Sequence, residues 1–121
     1  MECSVSYDQE NDCLIAHCQG IMDKEGQKKH AQEILKMATK HDCRCLLNDL
    51  RNATFEFSTI EIYELPRILE IEGIDHSWRR AVLVKEEQIK EVHFFETVAV
   101  NRGYRVKIFA ELNEAMEWLK E

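Results

Sequence analysis

A chain of 121 residues with formal charge −7, its 16 Lys and Arg scattered among 23 Asp and Glu, lacks the clustered positive charge on which binding to nucleic acid or an anionic membrane surface depends. Its 45% apolar and 32% charged residues, four Gly and one Pro exclude a disordered chain, and a chain of this length buries roughly two-thirds of its unfolded surface. One domain over residues 1–121 is expected, since no internal repeat, low-complexity tract or linker divides the sequence.

The opening Met-Glu-Cys-Ser-Val-Ser-Tyr-Asp has neither the positive n-region nor the apolar h-region of a signal peptide. No apolar run approaches the roughly 20 residues needed to cross a bilayer, so a cytoplasmic protein without membrane insertion is expected. Five cysteines, Cys3, Cys13, Cys18, Cys43 and Cys45, form an odd set, which reads as reduced thiols rather than a disulfide framework. Inside strands such residues act as small buried apolar groups.

In chain order, the β-prone runs Ser4–Asp8 and Cys13–Gln19 flank Gln9-Glu10-Asn11-Asp12, a polar connection of hairpin length, so these strands should be antiparallel. Gly20 ends the second run. Asp23 is a good N-cap for a helix to about Lys40, in which Ala31, Ile34, Leu35 and Ala38 follow the i, i+3, i+4, i+7 rule of a stripe packed on a sheet. Cys45-Leu46-Leu47, ending in Asn48-Asp49-Leu50-Arg51, has the continuous apolar character of a central parallel strand, and residues 52–57 read as a loop.

Ser58 and Glu61 have capping-box spacing and open a helix that buries Ile62, Leu65, Ile68 and Leu69 and stops near Gly73. Pro66 should kink or divide it. Ala81-Val82-Leu83-Val84 is a further apolar strand, and residues 86–102 form a long helix with Ile89, Val92, Phe95 and Ala99 on one face and Gly103 as its stop. Arg105–Phe109 alternates as an edge strand does, and Asn113 is placed to cap a last helix carrying Ala115, Trp118 and Leu119. A hairpin followed by βαβαβα implies an α/β fold with right-handed crossovers. The sheet should be mostly parallel, of four or five strands with an antiparallel first strand, and accompanied by about four helices.

Several local features resemble the SpoIIAA-like STAS/SEC14 family over nearly the whole chain. They are the opening strand pair with Gly20, Leu46-Leu47-Asn48-Asp49-Leu50-Arg51, Arg80-Ala81-Val82-Leu83-Val84, Asn101-Arg102-Gly103-Tyr104-Arg105-Val106 leading to Phe109, and Glu114-Ala115-Met116-Glu117-Trp118-Leu119. The resemblance implies a superhelix of successive βα units in a family largely without assigned activity. The anti-sigma-factor antagonists, which look like distant relatives, carry an Asp-Ser-Ser-Gly stretch with a phosphorylated serine. The matching Phe57-Ser58-Thr59-Ile60 keeps a hydroxyl at Ser58 but lacks the preceding Asp and the following Gly.

The residues expected to bind a ligand or partner are Asp49, Arg51 and Ser58. Asp49 and Arg51 lie at the carboxyl end of a parallel strand, where ligands gather in open α/β sheets, and Ser58 heads a helix whose free N–H groups favour an anion. The plain alternatives are that Ser58 only caps its helix, Asp49 accepts hydrogen bonds from its loop and Arg51 pairs with a nearby acid. His41, Cys43 and Cys45 have the alternate spacing of zinc ligands on a strand, yet no fourth ligand adjoins them, and neither a metal nor another cofactor is expected. His17 and Cys18 are neighbours on a strand and face opposite ways, so they form no nucleophile–base pair, and a non-enzymatic module is expected.

Two binding functions follow: regulation through a protein partner or small anionic ligand at the strand end, or carriage of a small apolar, lipid-like ligand between helices and sheet. Trp78, Phe94, Phe95 and Trp118 are the aromatic residues a carrier would use, though their helical spacing equally fits core packing, with Phe95 and Trp118 inside and the others at its margin. The alternating last strand leaves ladder groups open for a homodimer.

Overall fold

The structure, a computed structural model, describes residues 1–121. After strand β1 (Glu2–Asp8) the Asp8 carboxylate accepts hydrogen bonds from the N–H groups of Glu10 and Asn11 and from the Asn11 amide. That turn reverses the chain into β2 (Cys13–Met22), paired antiparallel to β1. Helix α1 (Lys24–His41) begins at Asp23, whose carboxylate accepts from Gly26 N–H at 2.8 Å, the cap its side chain predicts. Its Ala31, Ile34 and Ala38 are buried as their spacing requires, and His30 is buried with them.

Strand β3 (Cys45–Phe55) runs beyond its expected end: residues 52–55 continue the ladder instead of forming a loop. The reason lies in β2, which also continues past Gly20 and offers Gln19–Met22 as partners for Asn52–Phe55 after a register shift between His17 and Gln19. Helix α2 (Thr59–Glu72) follows, with Pro66 inside it and no division. Strand β4 (Arg79–Leu83), a single 3-10 turn at Glu86–Gln88, helix α3 (Ile89–Asn101), strand β5 (Arg105–Phe109) and helix α4 (Leu112–Leu119) complete the chain. Helix α4 starts one residue before Asn113, so Glu111 rather than Asn113 precedes it, without a side-chain cap.

The five strands stand in the order β1-β2-β3-β4-β5, with every pair after the first parallel. Three crossovers of one hand that each advance by one strand must lay α1, α2 and α3 on the same face. Side-chain alternation agrees: Leu14, Leu46, Val82 and Val106 meet the three helices, whereas Cys13, Leu47, Ala81 and Phe109 pack against Ala115 and Leu119 of α4. β5 is the edge strand its alternation predicts, and one of its ladder groups, Ile108 N–H, donates to the Glu96 carboxylate of α3 at 2.6 Å. No helix is long and apolar enough to cross a membrane.

One cysteine expectation is corrected. Cys3 and Cys18 are disulfide-bonded, because the hairpin register sets them directly opposite with Cα atoms 4.2 Å apart. Composition read them as reduced thiols, but composition says nothing of which sulfurs the register brings together. Cys13, Cys43 and Cys45 remain free.

Candidate functional site

Strand β3 is polar at its middle on both faces. On the α4 face, Asp49 is buried and receives Arg51 through two side-chain bonds, Nε to Oδ1 at 3.0 Å and Nη2 to Oδ2 at 2.8 Å. Arg51 N–H, next to the register shift, also donates to Oδ1 at 3.1 Å, and His17 Nδ1 lies 3.1 Å from Oδ2. Burial alone would push the Asp49 carboxyl up; the hydrogen bonds from Arg51 outweigh it and hold the carboxyl below its ordinary range. The pair is therefore an anchored guanidinium, bidentate on one side, with 43% of the Arg51 side chain still exposed.

Ser58 opens α2, which covers the other face of the sheet. Its hydroxyl accepts from Glu61 N–H at 3.2 Å while the Glu61 carboxylate accepts from Ser58 N–H at 2.9 Å, the complete capping box. The structure thus joins Asp49 to Arg51, while Ser58 bonds only within its own helix start, to Glu61 and Ile62. Beyond the cap, α2 turns Ile60, Tyr63 and Ile71 outward, 71%, 54% and 73% exposed. Arg102 stacks on the Tyr63 ring at 4.4 Å.

What sequence reasoning missed beneath the helices is a charge, in the place where the carrier alternative put its pocket. A cavity of about 100 Å³ opens between α1, α2, α3 and the sheet, walled mainly by apolar side chains, with Gln27, Asn48, Arg80 and Glu91 as its polar members. Arg80 projects into it from β4, flanked in the sheet by Leu46 and Val106. It is 6% exposed, its Nη2 has no hydrogen-bond partner, and no ion pair of the chain includes it. Burial lowers the guanidinium to about 10, which leaves it a cation at neutral pH.

Beside the cavity, His30 Nε2 donates to Asn48 Oδ1 at 3.0 Å and lies 3.4 Å from Cys18 Sγ, so the proton sits on Nε2 and the bare Nδ1 has no partner. Burial depresses His30 and keeps it neutral. Cys3, Cys18 and His30 form the one set of three metal-ligating side chains gathered within 4.8 Å, and two of its three donors are taken up by the disulfide.

His41, Cys43 and Cys45 do not converge. His41 stacks on Tyr7 at 4.2 Å, the Cys43 sulfur points to the Asp12 carbonyl oxygen at 3.5 Å, and the Cys45 sulfur lies 3.1 Å from that of Cys13. The hydrogen bond with Cys45, together with burial, pushes the Cys13 thiol up and leaves it a poor nucleophile. The aromatic residues divide as well: Phe95 lines the cavity, Trp78 is core rather than margin, Phe94 is exposed and Trp118 packs on Phe109 on the far face.

No family model matches the chain, and no curated protein matches it by sequence. A crystal structure of an anti-sigma factor antagonist from Mycobacterium paratuberculosis is similar to it, with a TM-score of 0.65 over 99% of this chain and 96% of that one, at 12% identity. At that identity the likeness is one of fold: the chain has the mixed α/β arrangement of STAS, or SpoIIAA-like, domains. Nothing in the likeness singles out SEC14 proteins.

Proposed function

We propose that this chain is a non-enzymatic regulatory module of the cytoplasm that docks a protein partner along α2, with Ser58 at the contact and Arg51 of β3 as a charged group of the same binding function. The observation that carries the reading is the row Ile60, Tyr63 and Ile71. Three large apolar groups at helical spacing face solvent on one helix, next to a cap that holds that helix in register. Arg51, oriented by Asp49, supplies a charge with a fixed geometry, which favours specificity over raw affinity. The similar structure is named for opposing an anti-sigma factor, and contact with another protein is the kind of role we carry over from it.

The test is a photo-crosslinking residue placed at position 63 of the full chain in the cells that produce it, with position 33 on exposed α1 as control. The reading expects one discrete adduct from position 63, lost with Ile60→Lys and absent from position 33. Adducts that ignore Ile60→Lys, or none from position 63, would count against docking on α2.

A further inference from the structure

We propose that the cavity beneath α1, α2 and α3 binds a small amphipathic monocarboxylate, an aromatic or short acyl acid, whose carboxylate pairs with Arg80 while its apolar body lies among Leu46, Leu50, Leu65, Leu69, Val82 and Phe95. This inference is independent of the partner reading and gives the ligand-carrier alternative a site and a chemistry.

A guanidinium taken out of water is costly unless a carboxylate or a set of acceptors meets it. Arg80 has neither: it is enclosed beneath the helices near the start of β4, its Nη2 bonds to nothing, and the acid that shares its cavity, Glu91, stands exposed on α3 without pairing to it. Neighbouring Tyr104 turns its hydroxyl to Glu70 at 2.5 Å. An apolar cavity with one unmatched cation and few other polar groups is the general form of a small-ligand site in which the polar group fixes orientation.

Charge and size narrow the class. One planar fork matches one carboxylate through two parallel hydrogen bonds. A phosphate dianion would bring more negative charge than a single guanidinium neutralises in an apolar surround. The cavity of about 100 Å³ is smaller than the roughly 150 Å³ of an apolar cavity that takes up benzene, which limits the ligand to no more than a single ring or a short chain. Asn48 is already held through its Oδ1 by His30 and lines the same cavity with its amide hydrogens unclaimed by any side chain, a second donor for the acid.

The experiment uses ¹⁵N-labelled full chain titrated with sodium benzoate, sodium hexanoate, benzamide and inorganic phosphate. Saturable shifts of Leu65, Val82 and Phe95 are expected with at least one of the two carboxylates. Benzamide should bind at least about tenfold more weakly than benzoate, and phosphate should leave these signals unmoved. Arg80→Met should keep a dispersed spectrum and lose at least about tenfold in carboxylate affinity; Arg80→Lys, which keeps the charge but not the fork, should fall between. Equal binding of benzoate and benzamide, tighter binding of phosphate, an unchanged affinity in a folded Arg80→Met, or no saturable shift with either carboxylate would each overturn the proposal. Should Arg80→Met not fold, the comparison of benzoate with benzamide on the wild-type chain decides it.

Discussion

His30 is neutral in the folded chain because burial depresses it, whereas an unfolded histidine takes up its proton near pH 6.5. As pH falls below about 6.5 the unfolded state binds that proton first, so stability must fall with acid, at up to about 1.4 kcal/mol per pH unit, until the folded-state value is reached. Urea unfolding between pH 7 and 5 should show this slope, and His30→Gln should flatten it. Asp49 acts in a separate window: its folded carboxyl is held below the ordinary value, so its contribution is present above about pH 4 and lost as pH falls through the folded value. Asp49→Asn should therefore remove stability at pH 7. At this scale the sequence singled out Asp49 and Arg51 for an expected place at a strand end, which the longer β3 turns into mid-strand positions, and it hid Arg80, His30 and Asn48. All three are in phase with apolar stripes, Arg80 with Val82 and Val84, His30 with Ile34 and Ala38, Asn48 with Leu46 and Leu50. In each stripe the apolar members set the phase, and the polar residue that shares it is the signal of a buried polar group.

Helix α2 is the element on which the partner reading depends, and it packs lightly, burying only Pro66 and Leu69. Its definition therefore rests on its ends. Ser58→Ala should cost about 1 kcal/mol through loss of the capping box, and Ser58→Asp should restore most of it, as read by chemical denaturation. Gly73 ends the helix at φ +113, where an added Cβ would come within 3.0 Å of Leu35 Cδ2. Gly73→Ala should accordingly cost about 1–2 kcal/mol, more than an alanine substitution on an exposed helix face. Both ends were legible, since Ser-x-x-Glu and a terminal Gly are local chemistry. The length of β3 was not, although Asn52-Ala53-Thr54-Phe55 alternates polar and apolar, because four residues are too short a pattern to decide without their ladder partners Gln19–Met22. Pairing partners are a non-local property, and the same holds for Cys3 and Cys18.

In the whole molecule, one hand of crossover repeated three times puts three helices on one face and leaves α4 alone on the other, and Arg80 sits on the three-helix face. The fold could be foreseen because element order and crossover hand determine it. A pocket between helices and sheet was one of two alternatives, but its size and the Arg80 within it could not be foreseen, because they depend on how far three helices stand off the sheet. The β1–β2 hairpin is tied by Cys3–Cys18 at a sequence separation of 15, a loop whose closure is worth about 3 kcal/mol. Cys3 is exposed, so dithiothreitol should lower the unfolding midpoint of the wild-type chain and have no effect on Cys3→Ser.

The claim that the interior keeps an uncompensated charge facing an apolar cavity is tested most directly by urea unfolding of ligand-free Arg80→Met beside the wild type. An unpaired buried cation replaced by an apolar side chain of similar length should raise stability by about 1–4 kcal/mol. A loss of comparable size would show instead that Arg80 is held by partners within the fold, and that it is not kept for a ligand.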